Sequence, residues 1–189
     1  MNPADKGPVR WEKGGERSLV KTRVLEAWGR QYRHPVRGTE REFVIIKAPD
    51  WVNVIALTAD GRLVLVRQFR HGIDDFSVEL PGGGVEAGED PVEAGVRELR
   101  EETGYAGKGA RLLATLHPNP AILNNRTHVV LVEAAEDGGA TDWDPEEEIE
   151  VVTMPVGQAL AEARAGRITH SLTLAGLFHY EPLWRGAGV

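Results

Sequence analysis

The sequence predicts an α/β fold, namely an α/β/α sandwich preceded by a small N-terminal β subdomain. Two apolar runs, residues 52–58 and 63–69, flank the turn signal Asp60-Gly61, which is typical of a β-hairpin. A helix with clear start and stop signals covers residues 91–103. Strand-like and helix-like patterns alternate around these elements, and this interleaving is what favours a layered α/β architecture.

Bulk composition is that of an ordinary folded protein. The chain has 189 residues, of which 41% are hydrophobic and 27% charged. This length suits one domain with a small appendage, and we divide it into an N-terminal β subdomain, residues 1–50, and an α/β domain, residues 51–189. The sequence contains no cysteine, which excludes disulfides, thiolate metal sites and cysteine catalysis.

Charge and hydropathy restrict the expected partners. The 29 acidic and 22 basic residues give a net charge of −7, which argues against a broad nucleic-acid-binding face. An anionic substrate therefore needs local help from arginine or from a cation. The first residues lack the apolar core of a signal peptide, and no segment approaches the roughly 18 apolar residues of a membrane span. We expect no nucleic-acid partner, no membrane partner and a cytoplasmic location.

The N-terminal part shows weaker patterns. Residues 1–18 are polar and aperiodic, and we expect them to be mobile. Three mixed segments, 19–28, 30–34 and 41–47, are strand-like, with proline and glycine turn signals before the last of them. They predict a small sheet.

The α/β domain continues beyond the hairpin with a short strand and a glycine cluster. Strand 77–80 is followed by Pro81-Gly82-Gly83-Gly84, which interrupts regular structure and allows close approach of the backbone. Three later segments predict strands and two predict helices: strands 112–116, 127–134 and 149–154, and helices 157–166 and 170–180.

The helix 91–103 has the most complete boundary signals in the chain. Asp90 is placed as the N-cap, with Glu93 as its capping-box partner, and Gly104 as the residue that ends the helix. Pro91 fits the first helical position. An apolar stripe of Val92, Val96 and Leu99 is expected to pack on the sheet.

Three carboxylates share one side of this helix. Glu98, Glu101 and Glu102 span about 100° of arc and are expected to face away from the apolar stripe. Like charges at i and i+4 oppose helix formation, whereas a bound cation such as Mg²⁺ reverses that effect. The alternative is a solvated acidic face stabilised by Glu93–Arg97 and Arg97–Glu101 ion pairs.

Residues 83–105 resemble the Nudix box of the Nudix hydrolase superfamily. The box requires a fixed series of glycines, glutamates and an arginine, and every charged and glycine position matches, with Tyr105 in the last apolar slot where an aliphatic residue is usual. The matching residues are Gly83, Glu89, Arg97, Glu98, Leu99, Glu101, Glu102 and Gly104. The resemblance implies a Nudix-type fold.

The resemblance also implies roles for these residues. Glu98, Glu102 and the backbone carbonyl of Gly82 correspond to the metal ligands of the superfamily, with Mg²⁺ as the expected cofactor and Mn²⁺ as the alternative. Glu101 corresponds to a metal ligand or a water-activating residue, and Arg97 orients the carboxylates.

Glu89 is left with two interpretations. It is either a metal ligand in some complexes or part of the network joining loop and helix.

The wider chain resembles the ADP-ribose pyrophosphatase and nucleoside-diphosphate-sugar branch of this superfamily. Arg70 matches an arginine that meets substrate phosphate, and Glu79 matches a substrate- or metal-contacting position. Pro120 stands where branch members carry proline, but Asn125 replaces their usual glutamate. This replacement argues against strict ADP-ribose specificity and for a broader range of sugar nucleotides.

The general base is expected in an acidic run before the strand 149–154. Glu147 aligns best with the loop glutamate of the branch, and Glu146 and Glu148 are its neighbours in the run. Glu101 is the alternative base.

An aromatic platform for the nucleobase is expected in or near the N-terminal subdomain. Trp28, Tyr32 and Trp51 are the candidates, and Arg41 resembles a substrate-contacting arginine of some relatives. In the branch the platform often spans a homodimer with exchanged N-terminal strands, so a homodimer is expected here. Three isolated histidines are expected to be structural: His117, His128 and His170.

Together these expectations predict a metal-dependent pyrophosphohydrolase that converts a nucleoside diphosphate sugar, ADP-ribose or a relative, into a nucleoside monophosphate and a sugar phosphate. One alternative is hydrolysis of another nucleoside diphosphate derivative, such as a dinucleoside polyphosphate or coenzyme A. A second is a non-catalytic regulator that binds ADP-ribose. Such regulators usually lose box glutamates or add a DNA-binding domain, and this chain does neither.

Overall fold

A computed structural model describes residues 7–139, 141–143 and 148–187. The chain forms two compact units. The first unit comprises Met1–Ala48 and Asn119–Asn125, and the second comprises Pro49–Pro118 and Arg126–Val189. The functional roles assigned to the N-terminal and C-terminal parts stay predictions.

The first unit is a three-stranded antiparallel sheet in the order β1-β2-β3. Its strands are β1 (Glu12–Lys21), β2 (Glu26–Arg33) and β3 (Glu40–Lys47). A short bridge joins β3 to the 119–125 segment, since the N–H of Ile46 donates to the carbonyl of Ile122 at 2.8 Å.

Two predictions for this unit are wrong. Residues 12–18 were expected to be mobile but form most of β1, and the predicted strand 19–28 is two strands joined by a turn at residues 22–25. The polar strand is held by cross-strand ion pairs, such as Arg17 with Glu42 at 2.8 Å, rather than by apolar alternation. A strand held by ion pairs does not need alternating apolar residues, so the sequence lacks the pattern by which strands are usually predicted.

The second unit contains a six-stranded mixed sheet. Its order is β6-β5-β4-β8-β7, with β9 paired to β5, and β4 runs parallel to β8. The strands are β4 (Trp51–Thr58), β5 (Arg62–Arg70), β6 (Asp75–Glu79), β7 (Tyr105–Leu116), β8 (Thr127–Asp137) and β9 (Ile149–Pro155). The predicted strand 112–116 is therefore only the end of β7. Register shifts against β8 break the alternation of its first half.

The central strands separate to admit the glycine segment. β4 and β5 pair only beside their hairpin, at Ala56↔Val64 and Leu57↔Leu63. Beyond that point, the N–H of Val54 donates to the carbonyl of Pro81 at 2.8 Å. The glycine turn is thus held inside the sheet rather than on a surface loop.

Three helices cover the two faces of this sheet: α1, Pro91–Thr103, α2, Val156–Arg164, and α3, Ser171–Gly186. One apolar cluster combines α1 with the sheet, and another combines α2 and α3 with its opposite face, so the predicted α/β/α sandwich is confirmed. α2 ends before the predicted residue 166, and α3 continues beyond the predicted residue 180. Among the described residues no helix combines the length and apolarity needed to cross a membrane.

Helix α1 has the predicted bounds. The Asp90 carboxylate accepts from the N–H groups of Val92 and Glu93, and Gly104 ends the helix in the left-handed conformation.

The predicted apolar stripe of α1 packs on the sheet, but the buried face of the helix is wider than predicted. Leu99 is buried and Val92 and Val96 are partly buried against the same cluster, and Ala94 and Gly95 are buried as well. A Cβ on Gly95 would lie 3.1 Å from the Val130 side chain, so small residues let the helix approach closely. Glu102, which was expected to face away from the core, is also buried.

Candidate active site

A cleft of about 460 Å³ lies in the second unit, where the glycine turn meets the C-terminal half of α1. It is lined by Trp51, Gln68, Arg70, Gly82, Gly83, Gly84, Glu86, Arg97, Glu98, Glu101, Glu102, Asp142 and Trp143. The predicted metal residues, the predicted phosphate arginine and one predicted aromatic residue thus come together in one place.

Two glycines make this arrangement possible. A Cβ on Gly82 would lie 2.0 Å from the carbonyl oxygen of Val52, and a Cβ on Gly83 would lie 2.4 Å from the Glu98 carboxyl group. A side chain at Gly82 would collide with the backbone of β4, and a side chain at Gly83 would collide with the Glu98 carboxyl group. No other residue type fits either position without movement of a neighbour.

Hydrogen bonds to β4 fix the carbonyl directions of the glycine turn. The carbonyls of Pro81 and Gly83 accept from the N–H groups of Val54 and Val52 on β4. Because carbonyl directions alternate along an extended segment, that of Gly82 is directed away from β4. The N–H of Gly82 donates to Oε2 of buried Glu102 at 2.8 Å, which places two predicted metal-binding residues in direct contact.

Arg97 organises the carboxylates around the turn. Its Nη1 donates to Glu98 at 2.8 Å and to Glu101 at 3.0 Å, and its Nη2 donates to the carbonyl of Gly84 at 2.9 Å. Hydrogen bonds with Glu89, then with Glu98 and Glu101, raise the pKa of Arg97 although burial opposes them. Arg97 therefore holds a permanent positive charge among the carboxylates, and its orienting role stays a prediction.

Glu89 belongs to the same network. Both of its carboxylate oxygens accept from Arg97, at 2.9 and 3.0 Å, and one also accepts from the N–H of Glu86 at 2.9 Å. The Arg97 hydrogen bonds lower the pKa of Glu89. These contacts favour the network interpretation of Glu89 over the metal-ligand one.

Arg70 reaches the cleft from β5 and is held by a buried carboxylate. Its Nε and Nη2 donate to the two oxygens of Glu79, each at 2.8 Å. Nδ1 of His170, at the start of α3, lies 3.2 Å from the same carboxylate. Burial raises the pKa of Glu79, but Arg70 and His170 outweigh burial and the pKa is lowered overall.

Sequence reasoning missed Trp143. Its Nε1–H donates to the carbonyl of Glu102 at 2.8 Å, and the N–H of the preceding Asp142 donates to the carbonyl of Glu101 at 2.9 Å. The two residues begin the acidic run in which only the glutamates were considered. The signal available was a tryptophan inside an otherwise polar segment.

Other candidates belong to the first unit or lie outside the described residues. Trp28, Tyr32 and Arg41 belong to the first unit: the Lys47 ammonium lies 3.5 Å from the Trp28 ring centroid, and Tyr32 pairs with Arg41 in the sheet. Glu146 and Glu147 lie outside the described residues. Asn125, in the 119–125 segment, is buried.

The histidines have mixed surroundings. His128 is buried, and its Nδ1 lies 3.0 Å from Oγ1 of Thr115. His117 is exposed, and His170 supports Glu79 as described above. None of the three lines the cleft.

The donors of the cleft suit a hard divalent cation. No three acidic or histidine side chains of the described residues converge as a ready-made metal cluster. A cation that uses few protein ligands, water and the substrate's own phosphate oxygens does not need one. The described lining residues include five carboxylates against two guanidinium groups, so an added positive charge is needed to hold a diphosphate there.

An α/β/α sandwich with a glycine turn inserted in its sheet, facing an Arg-Glu-x-x-Glu-Glu helix, defines the architecture of the Nudix hydrolases. Residues 47–173 match the NUDIX domain family, and the chain belongs to that family. Nudix hydrolases generally use divalent metal ions.

Named relatives agree with this membership, and a solved structure agrees with the fold. The chain is 34% identical over 131 residues to ADP-ribose pyrophosphatase of Bacillus subtilis, covering 68% of this chain and 70% of that protein. It is 31% identical over 170 residues to CMP-5'-(N-acetyl-N-hydroxy-3-aminopropyl)phosphonate hydrolase of Streptomyces rubellomurinus, covering 89% and 81%. The fold is similar to the crystal structure of an ADP compounds hydrolase, with a TM-score of 0.85 at 18% identity over 97% of this chain and 99% of the other.

Proposed function

We propose that this protein is a pyrophosphohydrolase that splits the diphosphate of a nucleoside diphosphate sugar, ADP-ribose or a related compound, into a nucleoside monophosphate and a sugar phosphate. The relative named ADP-ribose pyrophosphatase supports the substrate class. The observation that carries the reaction is the contact of the Gly82 turn with Glu102, beside Glu98 and Arg97.

The proposed cofactor is Mg²⁺, with Mn²⁺ as the alternative. When bound, the cation would offset the negative charge that develops on the diphosphate oxygens. Glu98, Glu102 and the carbonyl of Gly82 would hold it. Arg97 keeps the Glu98 carboxylate in place through the 2.8 Å hydrogen bond.

Arg70 is the proposed phosphate-binding side chain. A guanidinium group offers five N–H donors in a planar fork, and Glu79 accepts from two of its nitrogens. This bidentate pairing orients the side chain towards the cleft, so Glu79 acts as a positioning residue. Its direct contact with substrate stays a prediction.

The proposed general base is Glu147, with Glu101 as the alternative. Of the three carboxylates bonded to Arg97, those of Glu89, Glu98 and Glu101, Glu101 is the most exposed, with 39% of its side chain accessible. A base that removes a proton from water requires such access.

The proposed assembly is a cytoplasmic homodimer formed through the first unit, with the aromatic platform near Trp28. Phe43 and Val44 are successive residues of β3 and therefore point to opposite faces, and both are exposed, at 40% and 50%. A sheet with apolar residues open on both faces suits association with a second copy. The net charge of −7 argues against a nucleic-acid partner, and a small anionic substrate would be held by positive charges local to the cleft.

A second candidate function is hydrolysis of a different nucleotide derivative. The relative that matches the larger share of the chain is named for a CMP-linked phosphonate rather than for ADP-ribose. Asn125 in place of the branch glutamate also favours a broader substrate range.

A substrate panel tests both candidates. Purified protein with Mg²⁺ or Mn²⁺ is incubated with ADP-ribose, other nucleoside diphosphate sugars, a CMP-linked phosphonate, a dinucleoside polyphosphate and coenzyme A, and products are separated by chromatography. Preferred turnover of a nucleoside diphosphate sugar supports the proposal, and preferred turnover of another compound supports the second candidate. Binding without turnover of any substrate would show a regulator instead.

A further inference from the structure

The segment 141–143 is attached to the end of the carboxylate helix. The last carbonyls of an α-helix have no partners within the helix. Those of Glu101 and Glu102 accept from the backbone N–H of Asp142, at 2.9 Å, and from Nε1 of Trp143, at 2.8 Å. Trp143 is therefore fixed to the backbone of the residue whose side chain contacts Gly82.

The indole of Trp143 combines this attachment with an open surface. Its one donor is used by the Glu102 carbonyl, so what remains exposed is apolar ring. The residue is 39% exposed and lines the cleft together with Arg97 and Glu98. Apolar ring surface that is open to water is unfavourable, and packing against a flat ligand ring would relieve this.

The attachment of the ring to the Glu102 backbone indicates which part of the substrate it could contact. In a nucleoside diphosphate sugar, a diphosphate held at Glu98 and Glu102 would have a sugar on each side, and one of these sugars carries the base. The substrate ring on the Glu102 side is the one expected to reach the indole. Trp51 lines the same cleft, but its ring belongs to a residue built into β4.

We propose that Trp143 is a substrate-binding residue whose indole packs against a ring on one side of the substrate diphosphate, the sugar or its base, and contributes to selection of the substrate. This inference rests on the proposed function. Hydrogen bonding through Nε1 fixes the ring before the substrate arrives, which lowers the entropy that binding would otherwise lose.

Two variants separate ring contact from attachment. Trp143→Ala removes both, and Trp143→Phe keeps an aromatic ring but loses the bond to the Glu102 carbonyl. Trp184→Phe is the matched control, because Trp184 packs against the core of α2, α3 and the sheet and does not line the cleft. For each protein, kcat and KM are measured on the best substrate of the panel, and melting temperature checks the fold.

The expected result is a KM about tenfold higher for Trp143→Ala, with kcat within about twofold and an intermediate KM for Trp143→Phe. Trp184→Phe keeps the wild-type KM. Unchanged KM in Trp143→Ala would overturn the inference, as would an equal loss for Trp184→Phe. A fall in kcat alone would also overturn it, since the tryptophan would then act on the carboxylates and not on substrate.

Binding of the two product halves identifies the ring and keeps the test independent of turnover. Calorimetry with Mg²⁺ measures the Kd of AMP and of ribose 5-phosphate for wild type and Trp143→Ala. Weaker AMP binding alone assigns the indole to the nucleoside, and weaker ribose 5-phosphate binding alone assigns it to the second sugar. If Trp143→Ala binds each ligand with the same Kd as wild type, the inference is overturned. If wild type hydrolyses nothing in the panel, the proposed function fails, whereas these Kd values still decide the role of Trp143.

Discussion

At the scale of single residues, the site depends on carboxylates that are held by arginine. Arg97 binds Glu89, Glu98 and Glu101, and Arg70 binds Glu79. A carboxylate held in this way has few orientations, so little freedom is lost when a ligand binds. The sequence motif identifies these residues but does not show which pairs form, because Arg70 and Glu79 meet only through the pairing of β5 with β6.

The pair of Arg70 and Glu79 makes a pH-dependent contribution to stability. The pKa of Glu79 is lowered from its usual 4.5, so its contribution is fully present above the unfolded-state pKa and is lost as the pH falls through the folded-state value. Glu79→Gln is expected to lower the free energy of unfolding at pH 7 by about 2 kcal/mol. This is less than the roughly 3–5 kcal/mol of a fully buried pair, because solvent screens the part of Arg70 that is exposed.

Urea unfolding of wild type and Glu79→Gln at several pH values tests this prediction. The difference between the two proteins should be full at pH 7 and should narrow as the pH falls below 4.5. Glu150→Gln is the control, because its ion pair with Arg67 is exposed on both sides and is worth little. A difference that stays constant down to pH 3 contradicts the assignment.

At the scale of elements, the glycine turn and α1 together build the cleft. The boundaries of α1 could be predicted because its capping residues are neighbours in sequence. Its buried face could not, since close approach at Gly95 depends on Val130 in a distant strand. β1 was missed for the same kind of reason: its stabilising partners, such as Glu42 for Arg17, lie on other strands. Trp143 was missed because its partner is a backbone carbonyl of α1.

The glycine turn offers a matched pair of substitutions. Gly83→Ala adds a methyl group 2.4 Å from the Glu98 carboxyl, whereas Gly84→Ala meets nothing within 4 Å. We expect Gly83→Ala to displace Glu98, weaken metal binding and lower kcat/KM by about 10- to 100-fold. Gly84→Ala should stay within about twofold of wild type.

Titration of activity with Mg²⁺ checks both variants. Gly83→Ala should need more metal for half-maximal rate and should melt within a few degrees of wild type, since the clash involves the end of a flexible side chain. Equal metal dependence of the two variants would show that Glu98 does not hold the metal.

At the scale of the whole molecule, the proposed homodimer is formed through the first unit. Its β1 is exposed along its whole length, and β3 carries exposed apolar residues. A sheet of three strands with little burial is marginally stable alone. The proposed site of diphosphate hydrolysis, in contrast, is built from residues of the second unit, since all lining residues of the cleft belong to it.

Light scattering after size-exclusion chromatography tests the homodimer. Wild type is expected to have twice the 20.7 kDa mass of one chain. Val44→Glu on β3 should yield a monomer, because a charge in a buried apolar interface is costly. Val36→Glu, at a turn residue that is 78% exposed, should remain dimeric. A monomeric wild type at about 50 μM would contradict the proposed assembly.

Glu102 and Glu98 are proposed to hold the metal that makes diphosphate hydrolysis possible. The turnover of Glu102→Gln with saturating Mg²⁺ tests this role most directly. Glutamine can still accept the Gly82 N–H bond, so the fold is retained while the ligand charge is lost. Glu93→Gln, at an exposed position of the same helix, is the control. If Glu102 is a metal ligand, Glu102→Gln should lose at least about 100-fold in kcat/KM and Glu93→Gln should lose none, with equal melting temperatures. A folded Glu102→Gln variant with wild-type turnover would contradict this role.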